Sequence, residues 1–179
     1  MDTFLAIVSR REVRDYEDRP VDAASIERVI DAGRVSGSSK NRQPWKLLVI
    51  RDRSTLDDLA AVITRPTNLQ GAAFAIAFVL DDGATPFDAG RATQNMMLAA
   101  WNEGVGSCPN SIKDLASFKR IVGFEEGRPV TLLTFGFPAK KARPEGRGVQ
   151  DWIAAADRKP KEETVIEVDD YHLPIAGDA

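Results

Sequence analysis

Ser36-Gly37-Ser38-Ser39-Lys40-Asn41-Arg42-Gln43-Pro44-Trp45-Lys46-Leu47-Leu48-Val49-Ile50 is the stretch on which the reading of this chain turns. A helix-like pattern upstream ends in a run of small polar residues. A Gln43-Pro44-Trp45 corner follows, and then a short apolar strand. Small polar side chains placed where a helix hands over to a strand bring hydrogen-bonding groups close to a flat polar ligand. Pro44 fixes its own φ, and its ring favours an extended Gln43. Trp45 carries too much apolar surface to stand in water without reason.

Upstream, residues 2–9 read as a short apolar helix with Phe4, Leu5 and Val8 on one face, running into the cluster Arg10-Arg11-Glu12-Val13-Arg14-Asp15-Tyr16. A guanidinium fork matches a phosphate or a carbonyl edge, so the cluster is a candidate anion site, although cations beside a helix C-terminus are also favoured by its dipole. Ile26, Val29, Ile30 and Gly33 at helical spacing predict a helix ending near Val35, with Asp22 or Ser25 as its N-cap. Downstream, 46–52 is a strand, and Ser54 caps a helix through about Ile63. Residues 72–80 are a near-continuous apolar strand of the kind buried on both faces. A long helix over 86–104 carries small residues at 89, 90, 92, 99 and 100, which allow another helix to approach closely. Met96 and Met97 read as core. Gly104–Ser111 reads as a loop, 113–122 as a helix, 130–137 as the last core strand, 139–149 as a solvated loop and 164–168 as a candidate final strand.

Composition removes several function classes. The 179 residues carry a formal charge of −3 and are 43% hydrophobic, with no basic excess, so nucleic acid is not an expected partner. The longest apolar run is far short of the roughly 20 residues that cross a bilayer, so no membrane association is expected. No apolar signal-peptide region is visible, and a cytoplasmic location is expected. Cys108 is the single cysteine and His172 the single histidine. No intrachain disulfide forms, and a zinc site of the usual ligand types cannot be assembled from one chain. No Gly-x-Ser-x-Gly elbow is present. With so few acid–base residues, no catalytic side chain is singled out, and a cofactor is the expected carrier of any chemistry. Cys108 reads as a buried small hydrophobe rather than a nucleophile.

The motifs nonetheless resemble a known family. Arg10-Arg11-x-x-Arg14-x-Tyr16, followed some twenty-five residues on by Ser39-x-Asn41-x-Gln43-Pro44-Trp45, resembles the flavin-binding signature of nitroreductases. Asp88-x-Gly90-x-x-x-Gln94-Asn95-x-x-Leu98-Ala99-Ala100 resembles their central helix, and Gly104-x-Gly106-Ser107-Cys108 and Gly136-Phe137-Pro138 resemble their later signatures. Together with Arg158-Lys159-Pro160, which resembles an Arg-Lys-Pro that the family often carries near its C-terminus, the resemblance covers about 150 residues in family order. The resemblance implies an α+β fold with a mainly antiparallel sheet flanked by helices. It implies one domain over 1–179, with about 160–179 a tail that wraps a partner, and an intertwined homodimer holding FMN in two interface clefts.

The cofactor contacts carried over by resemblance are Arg10, Arg11 and Arg14 for the phosphate and ring edge, and Ser38, Ser39, Asn41 and Gln43 from the polar loop, which the family suggests comes from the partner. Pro109, Asn110 and Ser111 fall near the flavin N5, with Asn110 or Ser111 as donor because Pro109 has no N–H. Arg158, with Lys159 second, falls near the phosphate. Glu12 departs from the Ser or Thr common in the family, and a carboxylate there repels a phosphate unless it pairs with an arginine. The implied activity is ping-pong transfer of hydride from NADH or NADPH through FMN to a nitroaromatic, quinone or related small acceptor. Alternatives are a family member that fragments flavin or uses a deazaflavin, and a flavin- or nucleotide-binding regulatory dimer with little turnover.

Overall fold

The computed structural model describes residues 2–140 and 147–168. Four strands, β1 (Trp45–Ile50), β2 (Phe74–Leu80), β3 (Gly106–Asn110) and β4 (Arg128–Gly136), form one sheet in the order β1-β2-β4-β3. Every neighbouring pair is antiparallel, so the α+β expectation holds. β2 is central and wholly buried. Its alternation feeds two cores: Phe74, Ile76, Phe78 and Leu80 face one side, Ala75 and Ala77 the other.

The first face is covered by α2 (Ala23–Arg34) and α4 (Pro86–Asn102), whose Val29, Met96 and Met97 pack with Trp45 and Phe135. Phe74 stacks on Phe135 at 4.7 Å, and Trp45 meets Phe78 at 5.9 Å. Gly33 sets the approach of the two helices. A Cβ there would lie 2.6 Å from Met96 Sδ, so a larger residue would force the Met96 side chain aside or the two helices apart. The second face is covered by α3 (Arg53–Ala60) and α5 (Leu115–Val122), through Leu56, Leu59 and Phe118. α1 (Thr3–Ser9) lies against α4, its Ser9 Oγ accepting the Trp101 indole N–H at 2.9 Å in the interior. α6 (Val149–Ala154) packs on α1, and a single helical turn, α7 (Lys161–Thr164), follows. No helix among the described residues is long and apolar enough to cross a membrane.

One capping device recurs. Asp2, Asp22, Asp52 and Asp114 each accept a backbone N–H at the start of a helix, at 2.8–3.0 Å. Asp22 rather than Ser25 therefore caps α2. Asp52, not Ser54, caps α3; the Ser54 hydroxyl instead donates to Asp52 Oδ2 at 2.6 Å. Hydroxyl donation from Ser54, then the N–H and hydroxyl of Thr55, pull the Asp52 carboxyl down to about 2.

Three further expectations change. α3 stops at Ala60, and Ile63 bridges Ile112 instead of continuing the helix. Residues 106–110 form an edge strand, not a loop. Residues 164–168 form no strand: Thr164 closes α7, and Val165, Ile166 and Val168 are exposed. Of the loop expected over 139–149, residues 141–146 lie outside the described residues and Val149 already begins α6. His172 also lies outside them.

Candidate active site

The arginine cluster is sewn to the β3 edge. Val13 N–H donates to Ser107 O at 3.0 Å, and Glu12 bridges Ser107. Gly106 makes this approach possible, since a Cβ there would lie 2.6 Å from Val13 Cγ2. Beneath it, buried Tyr16 donates its hydroxyl to Val13 O at 2.6 Å and lies 3.0 Å from Thr134 Oγ1. Burial holds the Tyr16 phenol well above its ordinary range, so it serves as a neutral strut.

Arg14 emerges from this seam onto a cavity of about 130 Å³, lined also by Thr64, Arg65, Asn68, Cys108, Pro109, Asn110 and Ser111. Arg14 and Arg65 line it, with the Glu12 carboxylate standing close behind Cys108; the two guanidiniums suit an anion or a carbonyl edge. Cys108 is buried. Burial, and next the nearby Glu12 carboxylate, push its thiol up, which argues against a thiolate nucleophile. No group of three or more potential metal ligands occurs among the described residues.

The strand bearing Pro109 is fixed by a buried amide network. Asn110 Nδ2 donates to Leu132 O (2.9 Å) and Cys108 O (3.0 Å), while its Oδ1 accepts from Asn68 Nδ2 at 2.6 Å. The Asn110 side chain is therefore committed inside the chain; Pro109 and Ser111 are the exposed neighbours. Asn68 escaped the sequence reading. It lies in a 3-10 turn, Pro66–Leu69, and is 3% exposed. A polar residue in a Pro-Thr-Asn turn reads as solvated, and only its burial reveals the role.

The three arginines differ in use. Arg11 donates to Val8 O (2.7 Å) and Arg10 O (2.9 Å), and stacks over Trp152 at 4.9 Å, so its guanidinium locks α1 to α6. Arg10 pairs with Glu12 at 2.9 Å. Arg14 alone faces the cavity.

The polar loop lies elsewhere. Ser39–Asn41 makes one 3-10 turn, with Lys40, Asn41 and Gln43 at φ of 54°, 54° and 51°. Gln43 is thus left-handed rather than extended. Its N–H donates to Ser38 Oγ at 2.8 Å and its side-chain amide to Asn41 Oδ1 at 3.1 Å, which offsets the proline's preference. Ser36 ties the loop to α4, accepting from Asn95 Nδ2 at 2.9 Å. Backbone strain of this kind, about 1–3 kcal/mol per residue, clusters at functional sites.

Register measures the separation. Pro109 pairs with Leu133, Leu133 with Ile76, and Ile76 with Val49. Three strand spacings, then four residues along β1 to Trp45, amount to roughly 20 Å on the diagonal. One chain therefore brings Arg14, Pro109, Asn110 and Ser111 together around the cavity, leaves Arg10 outside its lining and paired with Glu12, and sets Ser38, Ser39, Asn41 and Gln43 at the opposite corner. Arg158 and Lys159 are exposed between α6 and α7, with Lys159 Nζ 3.9 Å from Glu163.

The sequence profile described as the nitroreductase family matches residues 7–78 and 69–137. The chain belongs to the nitroreductase family. Among its relatives is an Archaeoglobus fulgidus protein carrying the provisional name NADH dehydrogenase/NAD(P)H nitroreductase. It is 28% identical over 144 residues, which is 74% of this chain and 83% of that protein. The crystal structure of a nitroreductase family protein from Clostridium difficile 630 matches with a TM-score of 0.78 at 25% identity, covering 93% of this chain and 98% of that one. A provisionally named nitroreductase from Desulfovibrio desulfuricans, solved in complex with FMN, matches with a TM-score of 0.74 at 26% identity over 89% and 98% of the two chains.

Proposed function

We propose that this nitroreductase-family chain is an FMN-dependent oxidoreductase, active as a homodimer, that uses NADH or NADPH to reduce a small acceptor such as a nitroaromatic or quinone. The observation that carries the reading is the split site. A cationic cavity at β3 and a strained polar loop roughly 20 Å away face no common ligand within one chain. The cavity, about 130 Å³, is well below the roughly 300–1,000 Å³ of sites that enclose a small molecule. A two-fold partner supplying its Ser38–Gln43 loop opposite Arg14 would complete the wall. Exposed Phe4, Ile7 and Phe87, together with exposed Val165–Val168 and the open edge of β1, support such a partner and a tail that wraps it.

The residues fit the group. FMN, when bound, supplies the hydride and electron transfer that these side chains lack. Arg14 would place positive charge against the carbonyl edge of the ring and favour negative charge there. Pro109 and Ser111 would lie along that edge, and the Asn110–Asn68 network would keep their strand from shifting. Buried Cys108 takes no part in proton transfer. Ser38, Ser39, Asn41 and Gln43 of the second subunit would bind the ring from the other side, and Arg158 or Lys159 would lie toward the phosphate.

Anaerobic addition of NADH, and separately NADPH, to the FMN-reconstituted protein tests this reading. Bleaching of the flavin band, restored by a quinone, is expected. Failure of both donors to bleach it would refute the oxidoreductase reading and leave a binding dimer. Loss of flavin on admitting air would instead identify a flavin-fragmenting member.

A further inference from the structure

The Arg10–Glu12 pair has a feature that a simple anion site lacks. Glu12 Oε1 accepts from Arg10 Nη2 at 2.9 Å, with the side chains only 15% exposed for Arg10 and 29% for Glu12. Yet Arg10 Nη1 and Glu12 Oε2 are both buried without a geometrically sound hydrogen-bond partner, the carboxylate having the Cys108 thiol, a weak donor, beside it. A buried ion pair that leaves a donor and an acceptor unmet is poorly compensated. The backbone of Glu12 is pinned by its bridge to Ser107, so the movable part is the carboxylate arm. Arg11 is already held by Val8 O, Arg10 O and the Trp152 ring. Of the three clustered cations, one is structural, one is neutralised within the chain, and Arg14 is left to the cavity.

We propose that Glu12 is an internal competitor for the cofactor phosphate: the Arg10–Glu12 pair must open before a phosphate monoester can take Arg10. The inference rests on the flavin reading above. A phosphate offers acceptors to both Arg10 Nη1 and Nη2, satisfying the donor that Glu12 leaves unmet. The released carboxylate turns toward solvent. Glu12 thereby sets how strongly the chain prefers a phosphorylated flavin to its phosphate-free form, a role that no catalytic step requires.

The test is a pair of binding titrations on the full chain, following quenching of flavin fluorescence with FMN and with riboflavin, for wild type, Glu12→Gln and Glu12→Ser. The two replacements remove the charge with different side chains, so misfolding of one leaves the other to decide. FMN binding is expected to tighten at least tenfold in both, while riboflavin binding changes less than threefold. Arg10→Gln is expected to weaken FMN selectively. FMN affinity that is unchanged or weakened by loss of Glu12, or an equal gain for both flavins, would overturn the proposal. A wild-type chain that binds neither flavin would overturn the flavin reading itself and this inference with it.

Discussion

Replacing Asn110 by alanine probes the part of the site where the structure departs furthest from the expectation of direct cofactor contact. The side chain makes bonds of 2.6, 2.9 and 3.0 Å to Asn68, Leu132 and Cys108. Its removal leaves the Asn68 amide with only a 3.6 Å contact to Cys108 Sγ and takes a donor from the Leu132 carbonyl. Cys108 O keeps the Thr134 hydroxyl at 3.2 Å. The Leu132 carbonyl keeps its ladder partner across β3, so the Asn68 amide is the group left unmet, at a cost of about 1–3 kcal/mol. In a chain of this length about 2 kcal/mol is a drop of roughly 4–8 °C in Tm. Asn68→Ala removes the opposite partner and should cost about 1–3 kcal/mol. The double variant should fall short of the sum by about 1–2 kcal/mol, because the 2.6 Å bond can be lost only once. Urea unfolding at fixed protein concentration measures all four corners of the cycle. An Asn110→Ala variant within 0.5 kcal/mol of wild type, or strictly additive effects, would refute the structural role assigned to this amide.

Other consequences follow from single contacts. Gly106→Ala drives a Cβ to within 2.6 Å of Val13 Cγ2 and should destabilise by about 1–3 kcal/mol. Val13→Ala gives incomplete rescue, since the Val13 Cβ itself lies 2.7 Å away; thermal melts of the single and double variants check this. Trp101→Phe removes the buried 2.9 Å bond to Ser9 and should cost about 1 kcal/mol in denaturant unfolding. Asp52→Ala should lower Tm at neutral pH. Because the folded Asp52 carboxyl sits at about 2, below its unfolded value near 3.9, its contribution is fully present above about pH 4 and is lost as pH falls toward 2. The gap between variant and wild type should therefore close in acid, and a gap independent of pH would contradict the capping role.

How much was legible in the sequence depended on the kind of signal. β2 was readable because both of its faces are buried and its residues are uniformly apolar. α2 and α4 were readable because each shows its core face at helical spacing. β3 was not: Gly-Ser-Cys-Pro-Asn has no strand signature, and it becomes a strand because β4 and the Glu12–Val13 segment capture it, with its proline tolerated at an edge. The extended Gln43 expected before Pro44 yielded to Ser38 Oγ, an acceptor five residues away. Arg10, Arg11 and Arg14 are indistinguishable as letters. Trp152, Glu12 and the β3 edge sort them into a lock, a neutralised pair and a cavity wall, and each of those partners is remote or conformational. A carboxylate at position 12 was expected to repel a phosphate unless it paired with an arginine, and Glu12 does pair with one, Arg10.

The central claim is that this chain holds FMN at a site completed by a second copy. The most direct test is the visible absorption spectrum of the protein after FMN reconstitution and desalting, read together with its mass in solution. The account predicts an oxidised-flavin spectrum at about one FMN per chain, carried by a species of twice the chain mass. A colourless protein after desalting, or flavin retained stoichiometrically by a monomer, would contradict it.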